Sequence, residues 1–489
     1  MASIPFDNSF ARLSDTFYTR LDPTPVAKPG PIAVNDALAA ELGIDAGWLA
    51  SEEGTAVIAG NVVPTGAEPL AAVYAGHQFG NYNPQLGDGR AVLLGEVVTK
   101  SGQRFDIQLK GSGRTPYSRG GDGRSPMGPV IREYLLSEAF HALGVPATRA
   151  LAAVSTGEDV FRESASPGAV MARVASSHIR IGTFQFFAAR GDQEALQTLT
   201  GYCLDRHFPA QAGAPNAALA LLDAVIASQA ELVAKWMCLG FIHGVMNTDN
   251  MLICGETIDF GPCAFMDEFH PGKVFSSIDQ GGRYAYANQP AIAHWNLACL
   301  AQSLLPLLHP EQDEAVALAQ AAVDSFPVQY QAAHHRGMAN KFGLMEISDH
   351  DNKLVEDFFE LLTNEKADFT LAFRRLYEIA AEDTSEISEW FEFSAAFELW
   401  LAQWRRRLKE DPLTPETRAE RMRLANPVFV PRNHRVEEAI RAAEDEKDFR
   451  PFRALLACLA DPFTWRAEQA HYAQPPLPQE IVQQTFCGT

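Results

Sequence analysis

The sequence is poor in cysteine and in basic residues, and each shortage excludes a class of protein. Its 489 residues contain 7 cysteines, an odd number without a Cys-x-x-Cys pair. This argues against a disulfide framework and against a structural zinc site. The 40 basic residues are outnumbered by 61 acidic ones, which gives a formal net charge of −21. Such a chain is unsuited to a nucleic-acid partner held through phosphate contacts.

Long apolar runs and targeting signals are missing as well. The longest uncharged stretch, residues 290–309, includes histidine, asparagine, glutamine, serine and proline, which predicts a buried core helix instead of a membrane span. Residues 1–15 show no basic segment followed by an apolar one, so we expect no secretory signal, a cytoplasmic protein and no membrane partner. The length predicts two or more domains.

Residues 241–263 (the central segment), FIHGVMNTDNMLICGETIDFGPC, place three polar side chains in an apolar surround. These side chains belong to Asp249, Asn250 and Asp259. The apolar residues on both sides of Gly255 predict two short strands joined by a turn, which would hold Asn250 and Asp259 close together. Amide and carboxylate oxygens are ligands that suit Mg²⁺, so the two residues form a candidate metal site.

The spacing within the central segment resembles the catalytic loop and the Asp-Phe-Gly motif of protein kinases. His243 and Asn250 occupy the His and Asn positions of that pattern, and Asp259 opens the Asp-Phe-Gly. Kinases have a substrate-facing Asp two residues after the His, where this chain has Val245. Asp249 supplies a carboxylate nearby; with an ordinary pKa of about 3.9 we expect it to be ionised and a weak base.

Upstream, the pattern is typical of a β-hairpin followed by a helix. Residues 91–98 and 104–110 predict two antiparallel strands, the second ending at Lys110. Residues 72–90, before these strands, are rich in glycine, asparagine and aromatic residues, which predicts a structured loop. This stretch ends in a glycine-rich turn formed by Gly87, Asp88, Gly89 and Arg90. Residues 129–143 predict a helix that carries Glu133. In kinases such a turn covers the nucleotide phosphates, and the strand lysine pairs with the helix glutamate.

Between the hairpin and the helix lies an insertion, residues 111–128, rich in glycine and arginine. From 104 to 132, six basic side chains are opposed only by Asp106 and Asp122. The six are Arg104, Lys110, Arg114, Arg119, Arg124 and Arg132. Glycine lets an anion approach the backbone, and arginine binds phosphate through two hydrogen bonds, so we expect phosphate contact here. A solvated mobile loop is the alternative.

The rest of the chain alternates strands and helices. Residues 149–155 and 168–175 predict strands, and most of 183–240 and of 291–460 predicts helices. Arg173 and Arg180 stand seven positions apart near the end of the second strand. They are either surface residues or two contacts to one anion, and the sequence leaves both interpretations open.

Three strings together resemble one family: residues 74–96, 108–139 and 243–265 are similar to selenoprotein O, the bacterial YdiU-type family. The likeness runs from near Phe6 essentially to the C-terminus. The resemblance implies an α+β, protein-kinase-like bilobal fold with an N-terminal extension and a helical C-terminal extension. Its parts would be an extension packed on the core (1–85), a β-rich N-lobe (86–175), a C-lobe with the catalytic loop (176–330) and a helical region with a tail (331–489).

The same resemblance implies a protein adenylyltransferase. Such an enzyme binds ATP in a reversed orientation, transfers AMP to Ser, Thr or Tyr hydroxyls of proteins, releases pyrophosphate and uses Mg²⁺ or Mn²⁺. It implies that Lys110 and Glu133 form an ion pair, that Asn250 and Asp259 bind the metal, and that Asp249 accepts the proton. The implied nucleotide-binding residues are Gly87, Gly89, Arg90, Lys110, Asp122, Gly123, Arg173, Arg180 and Asp259.

The resemblance further implies a redox-labile disulfide between Cys263 and Cys487. Two other activities stay open from the residues alone. An ordinary phosphotransferase is disfavoured by Val245, which removes the usual substrate-orienting carboxylate. A non-catalytic nucleotide-binding scaffold is disfavoured because the expected ion pair and metal ligands are intact.

Overall fold

The computed structural model describes residues 4–382, 387, 390–483 and 485. Within these residues the protein combines one large antiparallel sheet with many helices, which confirms the predicted mixture of α and β structure. The predicted domain boundaries are not tested by this architecture and stay predictions.

The described strands build one large sheet and two small ones. In chain order they are β1 (Tyr18–Arg20), β2 (Gly30–Val34), β3 (Leu70–Ala72), β4 (Gly76–Gln78), β5 (Asn81–Asn83), β6 (Ala91–Val98), β7 (Arg104–Lys110), β8 (Ser125–Pro126), β9 (Arg149–Phe161), β10 (Ala165–Ala175), β11 (Phe241–Ile242) and β12 (Ala264–Phe265). The large sheet has the order β1-β3-β6-β7-β10-β9-β2, with β8 paired to β10. Separate two-stranded sheets pair β4 with β5 and β11 with β12.

Helices cover the sheet and make up most of the chain after β10. They are α1 (Asp36–Glu41), α2 (Ala46–Leu49), α3 (Glu52–Ile58), α4 (Met127–Ala142), α5 (Ile181–Ala188), α6 (Gln193–His207), α7 (Ala217–Leu239), α8 (Gln289–Leu308), α9 (Gln312–Val323), α10 (Phe326–Phe342), α11 (Asn352–Asn364), α12 (Phe369–Ala381), α13 (Glu398–Glu410), α14 (Pro415–Ala425), α15 (Asn433–Asp445) and α16 (Arg450–Leu459).

The predicted hairpin of β6 and β7 is confirmed, and its two faces serve different purposes. Ile107 and Leu109 point into an apolar cluster shared with Leu38 of α1 and Ile58 of α3. Because side chains alternate along a strand, the neighbouring polar residues point to the opposite face. All three of them, Asp106, Gln108 and Lys110, are buried. β7 therefore separates an apolar core from a buried polar site.

Helix α4 follows the predicted 129–143 closely but begins two residues earlier, at Met127. It contacts β9 and β10 of the sheet on one side and α15 and α16 from the far end of the chain on the other. Nearly every residue from Met127 to Phe140 is therefore buried, including Glu133, which is 1% exposed. A carboxylate at such a position needs a charged partner.

Residues before 85 form part of the same large sheet. β1 and β3 extend it at one edge beyond β6, and β2 closes the other edge beside β9. The stretch 72–90, which the sequence predicted as a structured loop, contains the short β4–β5 hairpin. The N-terminal part of the chain thus shares hydrogen-bonded strands with the part that bears Lys110.

The prediction of two strands in the central segment is wrong. Residues Thr248–Asn250 form a 3₁₀ helix, and the predicted hairpin is reduced to a single bridge between Met251 and Thr257. The backbone groups of Met251 and Thr257 bond to other segments: Ile181 N donates to Met251 O at 3.0 Å, and Thr257 N donates to Pro146 O at 3.0 Å. Residues 251–257 are therefore held mainly by hydrogen bonds to other segments and not by pairing with each other.

Two helical stretches, Ala217–Leu239 and Tyr286–Leu308, are long and apolar enough to cross a membrane by length and composition. Their apolar windows are 56% and 50% buried inside the protein, where α7 contacts α8, α9 and α10. The core helix predicted for residues 290–309 corresponds to α8. Such packing makes both stretches weak evidence for a membrane span.

Candidate active site

The structure brings Asn250 and Asp259 together. Asn250 Nδ2 donates to Asp259 Oδ2 at 3.3 Å and to the Val245 carbonyl at 3.1 Å. Asp259 has a φ of +66°, in the left-handed region that few residues other than glycine adopt. This backbone conformation turns the Asp259 carboxylate toward the end of the 3₁₀ helix, so the two side chains meet although no hairpin joins them.

Lys110 lies between two carboxylates. It forms a buried ion pair with Glu133 of α4, and its Nζ lies 3.8 Å from Asp259 Oδ1. The second oxygen of Glu133 accepts a hydrogen bond from Arg173 at 3.1 Å, and Arg173 also donates to Gln108 at 2.6 Å. Burial opposes the ionisation of Glu133, but Lys110 and Arg173 outweigh it and lower its pKa.

Asp249 and Asp259 have pKa values shifted in opposite directions. Burial raises the pKa of Asp249 to about 6, and the charge of Arg180 offsets only part of this effect. Burial acts the same way on Asp259, but Lys110 and Arg90 outweigh it and hold the pKa below its ordinary value. The expectation of an ordinary pKa for Asp249 is therefore wrong. Neighbouring carboxylates whose pKa values are shifted apart are typical of sites that use one of them as a proton acceptor.

Asp249 is 6% exposed and is held from several sides. Gln78 Nε2 donates to its Oδ2 at 3.1 Å, whereas Oδ1 is buried without a hydrogen-bond partner among the described residues. Arg180 donates to the Asp249 carbonyl at 2.6 Å and lies 4.4 Å from the centre of the Tyr74 ring. Arg180 also lies 3.5 Å from Asp88 of the glycine-rich turn. Arg180 thus connects that turn to residues 243–250, which follow the kinase catalytic-loop pattern and are called the catalytic loop below.

The glycine-rich turn packs directly against the insertion. A β-carbon at Gly87 would lie 2.5 Å from the Tyr117 ring, and one at Gly89 would lie 2.8 Å from the Tyr117 carbonyl. The Arg90 carbonyl accepts a hydrogen bond from Gly111 N at 2.7 Å. Any side chain at either glycine would push the insertion away, so the turn and the insertion form one wall of the site.

Asp122 and Gly123 lie in the insertion itself. The Asp122 side chain is 43% exposed and forms an ion pair with Arg162 at 2.9 Å, and the hydrogen bond from Arg162 lowers its pKa. Gly113 N donates to Gly123 O at 3.0 Å, and a β-carbon at Gly123 would lie 2.0 Å from the Gly113 carbonyl. Gly123 therefore joins two parts of the insertion through its bond to Gly113. The Asp122 side chain is partly exposed and pairs with Arg162.

Besides Lys110, which pairs with Glu133, three of the six basic side chains in this region already have partners inside the protein. They are Arg104 with Glu96 at 3.2 Å, Arg124 with the Thr24 carbonyl at 2.9 Å and Arg132 with Asn433 at 2.8 Å. The predicted phosphate contact in this region is not tested by these internal contacts and stays a prediction. Lys110 in the site and Arg114 and Arg119, both exposed, are the members whose positions suit an anionic ligand.

The residues that hold the catalytic loop from outside the central segment could not be identified from the sequence. His77 N donates to Thr248 Oγ1 at 2.7 Å, and Phe79 N donates to Asn247 Oδ1 at 3.0 Å. Both donors belong to the β4–β5 hairpin. Its richness in glycine, asparagine and aromatic residues indicated a structured loop, but nothing in the sequence connects it with Asp249.

Cys263 is buried, and its Sγ donates to the Phe260 carbonyl at 3.2 Å. Cys487, its predicted disulfide partner, lies outside the described residues. Thr485, two positions earlier, donates to the Pro262 carbonyl at 2.5 Å, and its backbone N donates to the Phe275 carbonyl at 2.9 Å. The described end of the tail therefore lies beside the residue that precedes Cys263.

The chemistry of the donors fits a hard divalent cation. Because Asn250 Nδ2 donates to the Val245 carbonyl and to Asp259 Oδ2, its Oδ1 is the amide oxygen left for a metal. Within the described part of the chain, no three His, Cys, Asp or Glu side chains gather to form a metal site of their own. Two protein oxygens suit Mg²⁺, which keeps several waters and shares phosphate oxygens with a nucleotide.

Comparison with known proteins identifies the family. The family model described as Protein adenylyltransferase SelO matches residues 1–460. Three relatives are each named Protein nucleotidyltransferase YdiU. The protein of Rhizobium meliloti is 57% identical over 491 residues, which is 100% of both chains. That of Rhizobium johnstonii is 56% identical over 494 residues (100% of this chain and 98% of the relative), and that of Rhodopseudomonas palustris is 55% identical over 487 residues (99% of each).

Together with the buried site, these matches define the class of protein: a nucleotidyltransferase, an enzyme whose ATP substrate supplies the transferred group. The chain belongs to the SelO family of protein adenylyltransferases. The resemblance seen in its three sequence strings is confirmed, and membership implies ATP and proteins as the two substrates.

Proposed function

We propose that the protein transfers AMP from ATP to Ser, Thr or Tyr hydroxyls of other proteins and releases pyrophosphate, within a kinase-like bilobal fold. The observation that carries the proposal is the set of contacts around the Asp259 carboxylate. The Lys110–Glu133 ion pair reaches Asp259, Asp259 contacts Asn250, and Asp249 presents an oxygen without a partner in the described structure. Family membership supports the reaction type.

The residues around the site suit a triphosphate in the reversed orientation. Its outer phosphates would meet Lys110 and the exposed Arg114 and Arg119 of the insertion. Gly87 and Gly89 would bring the backbone of the turn close to the ligand. The remaining proposed nucleotide residues, Arg90, Asp122, Gly123, Arg173 and Arg180, would supply charge or shape the wall around it.

Asn250 and Asp259 would hold Mg²⁺ or Mn²⁺, whose charge would offset the negative charge of the phosphates during transfer. The lowered pKa of Asp259 keeps this carboxylate ionised at neutral pH, as a ligand must be. The Asn250 amide adds a neutral oxygen. The charge of Lys110 balances part of the acidity of the site, because it lies 3.8 Å from Asp259.

Asp249 would accept the proton of the attacking hydroxyl. The hydroxyl oxygen forms a bond to the α-phosphorus, the bond from that phosphorus to the bridging oxygen breaks, and pyrophosphate departs. The proton passes to Asp249 Oδ1, which is buried and has no competing hydrogen-bond donor among the described residues. A pKa of about 6 makes this carboxylate a better proton acceptor than an exposed aspartate.

The experiment that tests the proposal is incubation with ATP labelled at either the α or the γ phosphate, in the presence of mixed acceptor proteins. We expect the label to be retained on protein only from the α position, and mass spectrometry to find AMP on hydroxyl side chains. Retention only from the γ position would establish a phosphotransferase. No retention from either position, with ATP still bound, would establish a binding scaffold. Lys110→Met is the inactive control.

A disulfide between Cys263 and Cys487 would regulate the enzyme. The two thiols would lose two electrons and two protons to a cellular oxidant, and the bond would fasten the tail to the loop after Asp-Phe-Gly and limit substrate access. The position of Thr485 beside Pro262 supports this pairing. We expect reductant to raise the activity of oxidised protein. Equal rates for oxidised wild type and Cys487→Ser would contradict the switch.

The cytoplasm is the proposed location. The relatives are bacterial proteins, and ATP and acceptor proteins are both present in that compartment. Cysteines that remain reduced there would make the proposed disulfide a reversible signal instead of a permanent link.

A further inference from the structure

A short hairpin from the N-terminal part of the chain rests on the catalytic loop. This hairpin, residues 76–83, consists of β4, a two-residue turn and β5, and we call it the clamp hairpin. Its backbone is bonded at two points to side chains of the loop: His77 N to Thr248 Oγ1 at 2.7 Å and Phe79 N to Asn247 Oδ1 at 3.0 Å. Backbone bonds fix the hairpin relative to the loop more firmly than side-chain packing alone.

The turn of the clamp hairpin is held in an unfavourable conformation. Phe79 has a φ of +51° and Gly80 a φ of +83°, as in the two-residue turns that normally use asparagine or glycine at the first position. A bulky residue is rare there. The Phe79 ring packs edge-on against Tyr284 at 5.1 Å, which offsets the strain. Strain that persists at a loop contact of this kind is typical of sites where position matters for function.

Gln78 is the residue of the clamp hairpin that reaches the carboxylate. Its Nε2 donates to Asp249 Oδ2 at 3.1 Å, and it is the one side chain that donates to this carboxylate among the described residues. Gly76 lies against the other oxygen, since a β-carbon there would be 2.4 Å from Asp249 Oδ1. The carboxylate is thus held through Oδ2, while a side chain at Gly76 would collide with Oδ1, the oxygen that has no partner among the described residues.

We propose that Gln78 is a positioning residue for AMP transfer, whose side-chain amide fixes the Asp249 carboxylate so that Oδ1 faces the acceptor hydroxyl. The proposal rests on the proposed function, because it concerns the same proton acceptor. A carboxylate without this hydrogen bond can rotate about its Cβ–Cγ bond, and its oxygens then no longer keep one orientation. Among the described residues, the Gln78 amide bonds to Asp249 and not to the proposed metal ligands or nucleotide-binding residues, so we expect its removal to leave nucleotide binding intact.

The test compares two variants that keep the shape of the side chain. Gln78→Met fills the same space without a donor, and Gln78→Glu replaces the donor by an acceptor. We expect both to lower kcat for AMP transfer by roughly 10- to 100-fold, the usual cost of misplacing a catalytic group. The KM for ATP, the affinity for a non-hydrolysable ATP analogue and the melting temperature should stay at wild-type values. Asn81→Ala, exposed on the same hairpin, is the matched control and should keep wild-type kcat.

Each outcome decides the question. A wild-type kcat for Gln78→Met would overturn the proposal, because the amide would then be dispensable. A fall in kcat accompanied by an equal rise in KM or by a lower melting temperature would assign Gln78 a structural role and would also overturn it. Failure of the wild-type protein itself to transfer AMP would instead refute the proposed function, so the two failures are distinguishable.

Discussion

Asp249 and Asp259 carry the same functional group, yet their neighbours shift their pKa values in opposite directions. Asp259 faces Lys110 at 3.8 Å and keeps a lowered pKa, which suits a permanently ionised ligand. Asp249 is buried beside the neutral amide of Gln78, and its raised pKa suits a group that exchanges a proton. Desolvation raises the pKa of both carboxylates, so the difference between them arises from the charges placed nearby.

Replacing Asp249 separates catalysis from binding. We expect Asp249→Asn, which keeps the shape but cannot accept a proton, to lower AMP transfer by about 10²- to 10⁴-fold, the usual contribution of a general base. Nucleotide affinity, measured by calorimetry, should remain near that of the wild type. Asp259→Asn is the comparison and should also weaken the metal-dependent part of that affinity. Wild-type turnover in Asp249→Asn would remove this residue from the mechanism.

At this scale the sequence predicted the residues whose spacing follows a known pattern. Asn250 and Asp259 were expected to meet, and they do. Gln78 could not be predicted, because 171 positions separate it from Asp249 and no periodicity connects the two. The raised pKa of Asp249 could not be predicted from the sequence either, because segments distant in the chain bury the side chain.

Among the elements, helix α5 determines where the catalytic loop lies. Its second residue, Gly182, is pressed against the segment before β4: Ala75 N donates to Gly182 O at 2.9 Å, and a β-carbon at Gly182 would lie 2.1 Å from the Ala75 carbonyl. The residue before α5, Arg180, bonds the Asp249 carbonyl. The start of α5 therefore contacts both the residue that precedes the clamp hairpin and the catalytic loop.

Gly182→Ala tests this contact. We expect a loss of about 1 to 3 kcal/mol in the free energy of unfolding, because a methyl group cannot enter without moving backbone. Gly201→Ala is the matched control: it lies in α6 with nothing within 4 Å, and alanine there should be neutral or stabilise by up to about 1 kcal/mol. Urea denaturation measures both. Equal stabilities of the two variants would contradict the close packing of α5.

The elements that were predicted correctly are those whose hydrogen bonds are local. β6 and β7 pair with each other across a short turn, so alternation of apolar residues was sufficient to place them. The two strands predicted in the central segment failed because the backbone groups of Met251 and Thr257 bond to Ile181 and Pro146. Local patterns cannot reveal partners that distant segments provide.

At the scale of the whole molecule, both ends of the chain support the site. β1, β2 and β3 extend the sheet that carries Lys110, and α15 and α16 cover the helix that carries Glu133. Arg432, 1% exposed, bonds Asp267 and Asp368 and so ties the start of α15 to segments near β12 and α12. Truncation at either end would therefore expose the buried Lys110–Glu133 pair.

The stability of this C-terminal region should depend on pH through His434, buried in α15. Neither ring nitrogen has a hydrogen-bond partner among the described residues, and burial, with help from Arg435 and Arg432, lowers the pKa to about 4. Below the ordinary histidine pKa of about 6.5, the imidazole of the unfolded chain is protonated, whereas the buried imidazole of the folded chain stays neutral until the pH approaches 4. The contribution of this histidine to the unfolding free energy, present above pH 6.5, is therefore lost as the pH falls toward 4.

We expect this histidine to account for about 2 kcal/mol of the decrease in unfolding free energy between pH 7 and pH 5. His434→Leu should remove that part of the decrease, whereas His350→Leu, at an exposed position, should keep it. Denaturation curves at the two pH values provide the measurement. The same pH dependence in wild type and His434→Leu would show that the buried imidazole does not control it.

Composition and family resemblance together predicted the class of the whole molecule, including its α and β content. They did not predict that the N-terminal strands join the same sheet, because strand pairing between residues far apart leaves no local signal. They also could not show that three of the five arginines between residues 104 and 132 have internal partners such as Glu96 and Asn433.

The most direct test of the account is the structure of the protein bound to a non-hydrolysable ATP analogue and Mg²⁺. We predict that the α-phosphorus lies next to Asn250, Asp259 and Asp249 Oδ1, with the outer phosphates toward Lys110 and the insertion. A complex in which the γ-phosphorus faces Asp249 would contradict AMP transfer and favour a phosphotransferase.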